Sequence, residues 1–453
     1  MRKALVKTEE FKDLSWESIP SGWQAYSIGE LMNYIKSGLS RAITFDDIGV
    51  PVITSTNLVD GELDPSDLKY WYEKDPQGAN IADYILDDGD ILLNFINSIS
   101  QIGKVCIFRD LGRPAIYTTN IFRIKPSNKV TTKFFWRLLQ SNHVQHWIQL
   151  ITKPAINQAS FTQPEFAAIP VLIPESKEEQ ECVTEILDTI DSTIAHTSSL
   201  IAKLKLMKAG LLHDLLTRGL DENGELRDAI GHPEQFKDSP LGRIPKDWKV
   251  CSIEEKLQRI IDYRGKTPQK KTSGIPLITA KNVREGFIDS EPREYIDEQD
   301  YDRWMTRGIP NVGDVLFTTE APLGMVARFP DYKVALAQRL LTLCPDPEQL
   351  DAGYLLWLLL WPDSHRRLEQ KSTGSTVLGI KQSVFRKMLF QFPPLSEQKK
   401  IDLALNTFKT RIRTEEAYRD KLKLQKQGLM HDLLTGKVRV KDVDKFTSLG
   451  DTV

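Results

Sequence analysis

The feature that most constrains this chain is that it repeats itself at long range. Gly210–Gly219 reads GLLHDLLTRG and Gly428–Lys437 reads GLMHDLLTGK, which sets His213 and His431 218 residues apart (431 − 213). That period is too long for a solenoid repeat and is about the size of a domain plus a connector. The echo continues upstream. IPSGWQAYSIGEL begins at Ile19 and IPKDWKVCSIEEKL at Ile244, with Trp23 opposite Trp248. PVITSTNLVDGELD (Pro51–Asp64) aligns without a gap to PLITAKNVREGFID (Pro276–Asp289). DDGDILLNF aligns to NVGDVLFTT, matching Gly89-Asp90 to Gly313-Asp314, and IPVLIPESKEEQ answers FQFPPLSEQ. The chain therefore reads A–B–A′–B′, a mixed domain followed by a long helix, twice over.

In the A segments, VPVITSTNLV and IPLITAKNV are β-branched runs that end in turn formers, and the Gly-Asp pairs open further strands. Helical spacing marks residues 131–150 and 351–370, so each A segment is expected to be an α+β domain with a curved mixed sheet. The B segments carry a heptad seam. Val183, Leu187, Ile190, Ile194, Thr197, Ile201, Leu204, Lys208, Leu211 and Leu215 alternate steps of four and three. The second seam is Ile401, Leu405, Phe408, Ile412, Glu415, Arg419, Leu422, Lys426, Leu429 and Leu433. Each helix of about 40 residues would run roughly 60 Å. Ser176 and Ser396 are expected N-caps, and Gly219 and Gly436 expected stops. Two such stripes in one chain are expected to pair as an antiparallel coiled coil, giving a pseudo-two-fold molecule. The expected boundaries are a tail 1–18, a first domain 19–175, a helix and linker 176–243, a second domain 244–395, a second helix 396–440 and a tail 441–453.

Composition narrows the function classes. The longest strongly apolar run, YLLWLLLW (Tyr354–Trp361), falls far short of the roughly 20 residues that span a bilayer. The opening MRKALVKTEEFKDL has no apolar signal core, so a cytoplasmic protein without a membrane partner is expected. Cys106, Cys182, Cys251 and Cys344 lack zinc-site spacing and read as small core residues. A net charge of −2 hides local asymmetry: Asp262–Arg284 holds six Lys/Arg against one acid, and 285–302 holds eight acids against one Arg. Such an average is compatible with one strongly positive face.

The order of IPKDWKVCSIEE, DYRGKTPQKK…GIPLITAKNV, GDVLFTTEAPLG, STGSTVLGIKQSVF, FPPLSEQKKI and GLMHDLLTGKVRV resembles the specificity subunit of type I DNA restriction-modification systems, over nearly the whole chain. The first domain departs in part, with SGLSRAITFDD where the second has RGKTPQKKTSG. The resemblance implies two target recognition domains, each reading one half of an interrupted double-stranded DNA site, on helices that set the gap and dock two methyltransferase subunits. Motor-nuclease subunits would join the full complex, which serves defence against foreign DNA. It further implies a targeting subunit without catalysis of its own; S-adenosylmethionine, ATP and Mg2+ belong to partner subunits, with no cofactor or metal on this chain. Because the two domains differ in sequence, the site should be asymmetric. A module of a methylation-only system and a non-DNA coiled-coil scaffold are the alternatives.

Phosphate and base-edge contacts call for Lys, Arg, Asn, Gln, Ser and Thr. In the first domain the candidates are Ser37, Ser40, Arg41, Asn97, Ser98, Gln101, Lys153, Asn157 and Gln158. In the second they are Tyr263, Arg264, Lys266, Thr267, Lys270, Lys271, Lys281, Ser372, Thr373, Ser375 and Thr376. Competing signals are weak. The GKT in RGKTP lacks the first glycine of a P-loop, since Ile260 stands there. His143 and His146 have helical spacing but no third metal ligand. His213 and His431, doubled in one context, point to a structural or interface role. There is no dinucleotide fingerprint, no Asn-Pro-Pro-aromatic tetrad and no Walker pair.

Overall fold

The structure is a computed structural model that describes residues 19–156, 158–263, 268–374 and 378–440. It divides into two compact units, Met1–Thr197 with Tyr418–Val453, and Ser198–Ala417. In the first, a four-stranded antiparallel sheet has the order Met32–Ser37, Ile121–Pro126, Ile91–Asn94, Val105–Ile107. Ile91–Asn94 is buried along its whole length, as an inner strand covered on both faces must be. It is entered through Gly89 at φ 89°, a conformation that favours glycine, and the Asp90 carboxylate accepts from the Asp87 amide at 2.7 Å. A three-stranded sheet pairs Gly49–Ile53 with Ile116–Tyr117 in parallel and with Lys69–Tyr72 in antiparallel. Trp23–Ser27 and Pro170–Pro174 form an antiparallel ribbon.

The second unit repeats this plan strand for strand. Leu257–Asp262, Leu340–Pro345, Val315–Thr318 and Val326–Arg328 make the four-stranded sheet. Ile275–Ile278 lies between Tyr295–Ile296 and Ala335–Leu336, and Lys249–Ser252 pairs with Leu389–Phe392. The repeated ITxxN phrase has a physical reason. Asn57 Oδ1 accepts from the Thr54 amide (2.9 Å) and hydroxyl (2.8 Å), and Asn282 does the same for Thr279 (3.0 and 2.8 Å). Both buried amides also donate to carbonyls across the following turn.

Two long helices, Lys177–Thr217 and Leu395–Leu434, each give one half to each unit. In the first unit Lys426 meets Asp191 at 2.5 Å and Arg439 meets Glu179 at 2.6 Å, so the two segments run antiparallel. In the second, Lys205–Glu416 (2.7 Å) and Arg227–Glu397 (2.8 Å) show the same sense. The seam positions are all buried or half-buried, and Val183, Leu187, Ile201, Leu215, Ile401, Leu405, Ile412, Leu422 and Leu433 are buried. Ile190, Ile194, Leu204, Leu211, Phe408 and Leu429 are half-buried. Thr197, polar at mid-seam, donates its hydroxyl to the Thr193 carbonyl at 2.8 Å. The helix ends join the domain cores: Leu433 and Leu434 pack with Phe134 and Phe135, and Leu215 and Leu216 with Tyr354 and Leu355.

The Glu-Gln pair that opens each helix locks it to its domain. Trp23 Nε1 donates to Glu179 Oε1 (3.3 Å) while the Arg439 fork grips both carboxylate oxygens (2.6 Å each). Trp248 and Arg227 hold Glu397 in the same way, at 3.2 Å and at 2.8 and 3.1 Å. Gln180 and Gln398, fully buried, each accept from one backbone amide at 2.8 Å and donate to two carbonyls. Gly219 (φ 64°) and Gly436 (φ 71°) follow the helix ends, and a Cβ on Gly436 would strike Pro20 and Trp23.

Four local expectations need correction. Residues 131–150 form two helices, Thr132–Leu139 and Asn142–Ile151, because Ser141 turns the chain and accepts from the Val144 amide. Residues 351–370 likewise break at Trp361-Pro362, where proline starts a new helix. Ser396 is no N-cap: the second long helix already begins at Leu395, whereas Ser176 Oγ accepts from the Glu179 amide at 3.2 Å. The stretch expected as linker holds a hairpin, Phe236–Ser239 with Gly242–Pro245.

Candidate nucleic-acid interface

Two polar segments far apart in the first domain come together on one small sheet. Ala159–Ser160 pairs on one side with Lys153–Pro154 and on the other with Ile96–Asn97. The strand pairing places Asn97 opposite Ala159, and the Ala155 amide donates to the Gln158 carbonyl (2.7 Å) to close the hairpin. Beside it, residues 98–102 turn tightly, the Gln101 and Ile102 amides donating to the Ser98 carbonyl at 3.0 Å. Ser98, Gln101, Lys153 and Gln158 are exposed, and Asn97 is half-buried with its Oδ1 accepting from the Ser98 amide. This is a raised ribbon with adaptable polar groups, a shape that the major groove of duplex DNA admits. Lys153 bonds to Glu165, and its ammonium, with help from Thr162, holds that carboxyl down at about 2. Asn157 lies outside the described residues.

The second domain builds the corresponding surface. Thr373 and Gly379 exchange backbone hydrogen bonds at 2.9 and 3.0 Å, Gly379 also bridges Glu320, and the Ile380 amide donates to the Thr319 carbonyl. Gly374 has φ 121°, open to glycine alone without strain. Thr373 is exposed, and Ser372 is half-buried with its hydroxyl on the Glu369 carbonyl at 2.7 Å. Ser375 and Thr376 lie outside the described residues, as do Arg264, Lys266 and Thr267. Lys270, Lys271 and Lys281 are exposed on a separate edge. There the acidic stretch folds back on the basic one: Lys270 pairs with Glu294 at 2.8 Å, and Arg284 with Asp289 at 3.4 Å. The positive charge read from the sequence is thus partly neutralised locally.

Two candidates are engaged within the fold. Tyr263 is only 4 % exposed, stacks near Trp304 and donates its hydroxyl to the Gly308 carbonyl. Burial pushes its phenol up to about 12. Arg41 donates from Nε (3.1 Å) and Nη2 (2.6 Å) to Asp75, a fully buried carboxylate that also takes the Trp71 indole N–H and two backbone amides. These bonds, the Arg41 fork foremost, hold the Asp75 carboxyl well below the usual range. Ser40 is exposed and its carbonyl accepts from Arg41, while Ser37 is half-buried at the end of a strand, opposite Phe122.

Other residues at these surfaces lie outside the polar loop candidates. Ile156 is fully exposed at the tip of the first hairpin, and Ile99 is 67 % exposed in the neighbouring turn. In the second domain Leu378 is 45 % exposed beside the matching hairpin. Arg339, next to Glu320 at 2.8 Å, keeps φ at 74°, a strained value for a side chain with Cβ. Only a lone apolar residue within a polar loop could have flagged the first three, and nothing local flags Arg339.

The remaining signals find structural places. His143 Nε2 lies 2.8 Å from the Pro170 carbonyl, and the His213 ring lies 6.0 Å from that of Trp361. Cys106 and Cys344 are buried, and burial pushes the Cys344 thiol up to about 12. Among the described residues no helix is long and apolar enough to cross a membrane.

Comparison with known proteins converges on one family. The model of the type I restriction modification DNA specificity domain matches twice, at residues 20–206 and 245–424. A Methanocaldococcus jannaschii protein named for the MjaX type I restriction enzyme specificity subunit is 27% identical over 448 residues, covering 96% of this chain and 98% of its own. The MjaVIII specificity subunit of the same organism is 23% identical over 454 residues, 97% of this chain and 98% of the other. Among solved structures, one described as the structural basis of complex assembly and conformational transition of the type I R-M system superimposes with a TM-score of 0.57 at 14% identity, over 93% of this chain and 100% of the other. The type I S subunit from M. genitalium gives 0.53 at 13% identity, over 91% and 96%.

Proposed function

The chain belongs to the type I restriction-modification DNA specificity family, and from that premise we propose that it reads one asymmetric, interrupted duplex site, one half per domain. The observation that carries this is the doubled surface. Each unit builds a short ribbon with a neighbouring turn at the same place on the same sheet plan, while the residues it presents differ. In the first domain Asn97, Ser98, Gln101, Lys153, Asn157 and Gln158 face the DNA, with Ile156 and Ile99 suited to thymine methyl groups. In the second, Ser372, Thr373, Ser375, Thr376 and Arg339 take that role, and Arg264, Lys266, Thr267, Lys270, Lys271 and Lys281 meet phosphates. The half-sites so read should lie about one turn of DNA apart, roughly 34–36 Å between their centres.

In this reading the chain performs no chemistry. Its helices dock two methyltransferase subunits, and motor-nuclease subunits join them, with S-adenosylmethionine, ATP and Mg2+ held by those partners. The phosphate part is testable by salt titration. Lys281, whose ammonium makes no ion pair among the described residues, is the cleanest probe. Lys281→Ala in the assembled complex should lower affinity alike on all sequences and reduce the slope of log K against log salt by about 0.9. An unchanged slope would remove Lys281 from the phosphate contacts; a complex whose affinity ignores salt altogether would contradict the DNA reading.

A further inference from the structure

The doubled phrase GLLHDLLTRG/GLMHDLLTGK is only half explained by packing. Its leucines are buried or half-buried, but His213 and His431 are exposed in both copies. An exposed side chain that is the same in both halves, while the DNA-facing loops differ, calls for a use outside the fold. The surroundings of the two histidines supply a contrast. In the first unit a cavity of about 310 Å³ opens beside His431, walled by Leu138, Ser141, Leu172, Met430 and Leu434. Exposed Asn142 and His431 stand at its mouth. In the second unit Leu358, Leu212 and Leu216 stand where Leu138, Met430 and Leu434 stand in the first, the buried Gln391 replaces Leu172, and the position of Ser141 is taken by Trp361. The Trp361 ring is 6 % exposed and lies 6.0 Å from the ring of His213. Among the described residues, one half of the molecule therefore sets its own indole where the other half leaves space open.

An apolar cavity left without an occupant costs contacts on every wall. A buried bulky side chain seated in a pocket is the usual anchor of a protein interface. We propose that the cavity beside His431 is a socket for one bulky apolar side chain, of indole or similar size, presented by a methyltransferase subunit docking on the helix face that carries His431. Trp361 shows the size and chemistry of the occupant, because it stands at the equivalent position beside the matching Leu212, Leu216 and Leu358. The proposal rests on the reading that methyltransferase subunits dock on this chain, and it makes the two docking faces unequal: the one beside His431 receives a side chain, and the one beside His213 offers a filled, flat surface.

The test co-expresses the full chain with the methyltransferase subunit of its own system and measures affinity and stoichiometry. Ser141→Trp plugs the socket as the second unit already does; Ser141→Ala leaves it open. S141W should weaken one of the two methyltransferase positions at least tenfold, and S141A should not. Equal affinity for S141W and wild type would overturn the socket while leaving the functional reading in place. No methyltransferase binding by the wild-type chain would instead contradict that reading, and the socket with it. Should S141W fail to fold, His431→Glu carries the test from an exposed helix face. A carboxylate at the mouth should weaken the same single position, and undiminished binding would overturn the proposal.

Discussion

Arg41 and Arg339 place one residue type in opposite settings. Arg41 neutralises a carboxylate that is buried and otherwise held by neutral donors. Arg41→Ala strands that charge, so the first unit should be destabilised, measurable as a lower midpoint in denaturant unfolding. Arg339 stands exposed on strained backbone at the ribbon surface. Arg339→Gly should stabilise the second unit by about 1 kcal/mol by releasing that strain, yet lower DNA affinity. A gain in stability with unchanged affinity would place Arg339 off the DNA. Lys409 is a third case. Burial, with Arg413, Arg328 and Lys208 nearby, brings its ammonium down to about 8, and Nζ donates to the Gly286 carbonyl at 3.0 Å. The folded state thus releases this proton more readily than the unfolded chain, so below about pH 8 the group opposes folding, and the penalty fades as pH rises toward the ordinary lysine value. Lys409→Met should therefore be more stable than wild type at pH 7, with the gap closing by about pH 10; a gap independent of pH would assign the effect to packing.

At the scale of elements, the long helices were legible because a seam of alternating three- and four-residue steps persists for ten positions in each, and tertiary packing has little room to override it. Leu204→Asp with Leu422→Asp places two carboxylates on the half-buried and buried seam and should abolish the helix pairing or the assembly that depends on it. If assembly and half-site spacing survived, the helices would not be the ruler. The short helices were less legible, since apolar periodicity runs on through Ser141 and Trp361 while the backbone turns there. The candidate surface was visible only in pieces. Asn97 and Ala159 pair across some sixty residues, and no local pattern encodes such a contact. Tyr263 and Arg41 have side chains that serve equally as DNA ligands and as capped core groups, and only their buried neighbours decide which. Ile156 and Arg339 escaped because a search for polar loop residues passes over an apolar tip and over backbone strain.

For the whole molecule, the internal repeat unites these observations. Two domains share a sheet plan, a Trp–Glu–Arg lock and a buried glutamine at each helix entry, and differ in the loops above their ribbons. That division suits a specificity subunit, whose frame must stay constant while its reading surfaces vary. In the proposed function each domain reads its own half of the site, and the gap between the halves is constant. The measurement that tests it most directly is selection of bound duplexes from a randomised pool by this chain assembled with its methyltransferase subunit. One enriched motif of two unlike halves with an unread gap of constant length is expected. A single contiguous motif, two halves at variable spacing, or no enrichment from a well-assembled complex would contradict it.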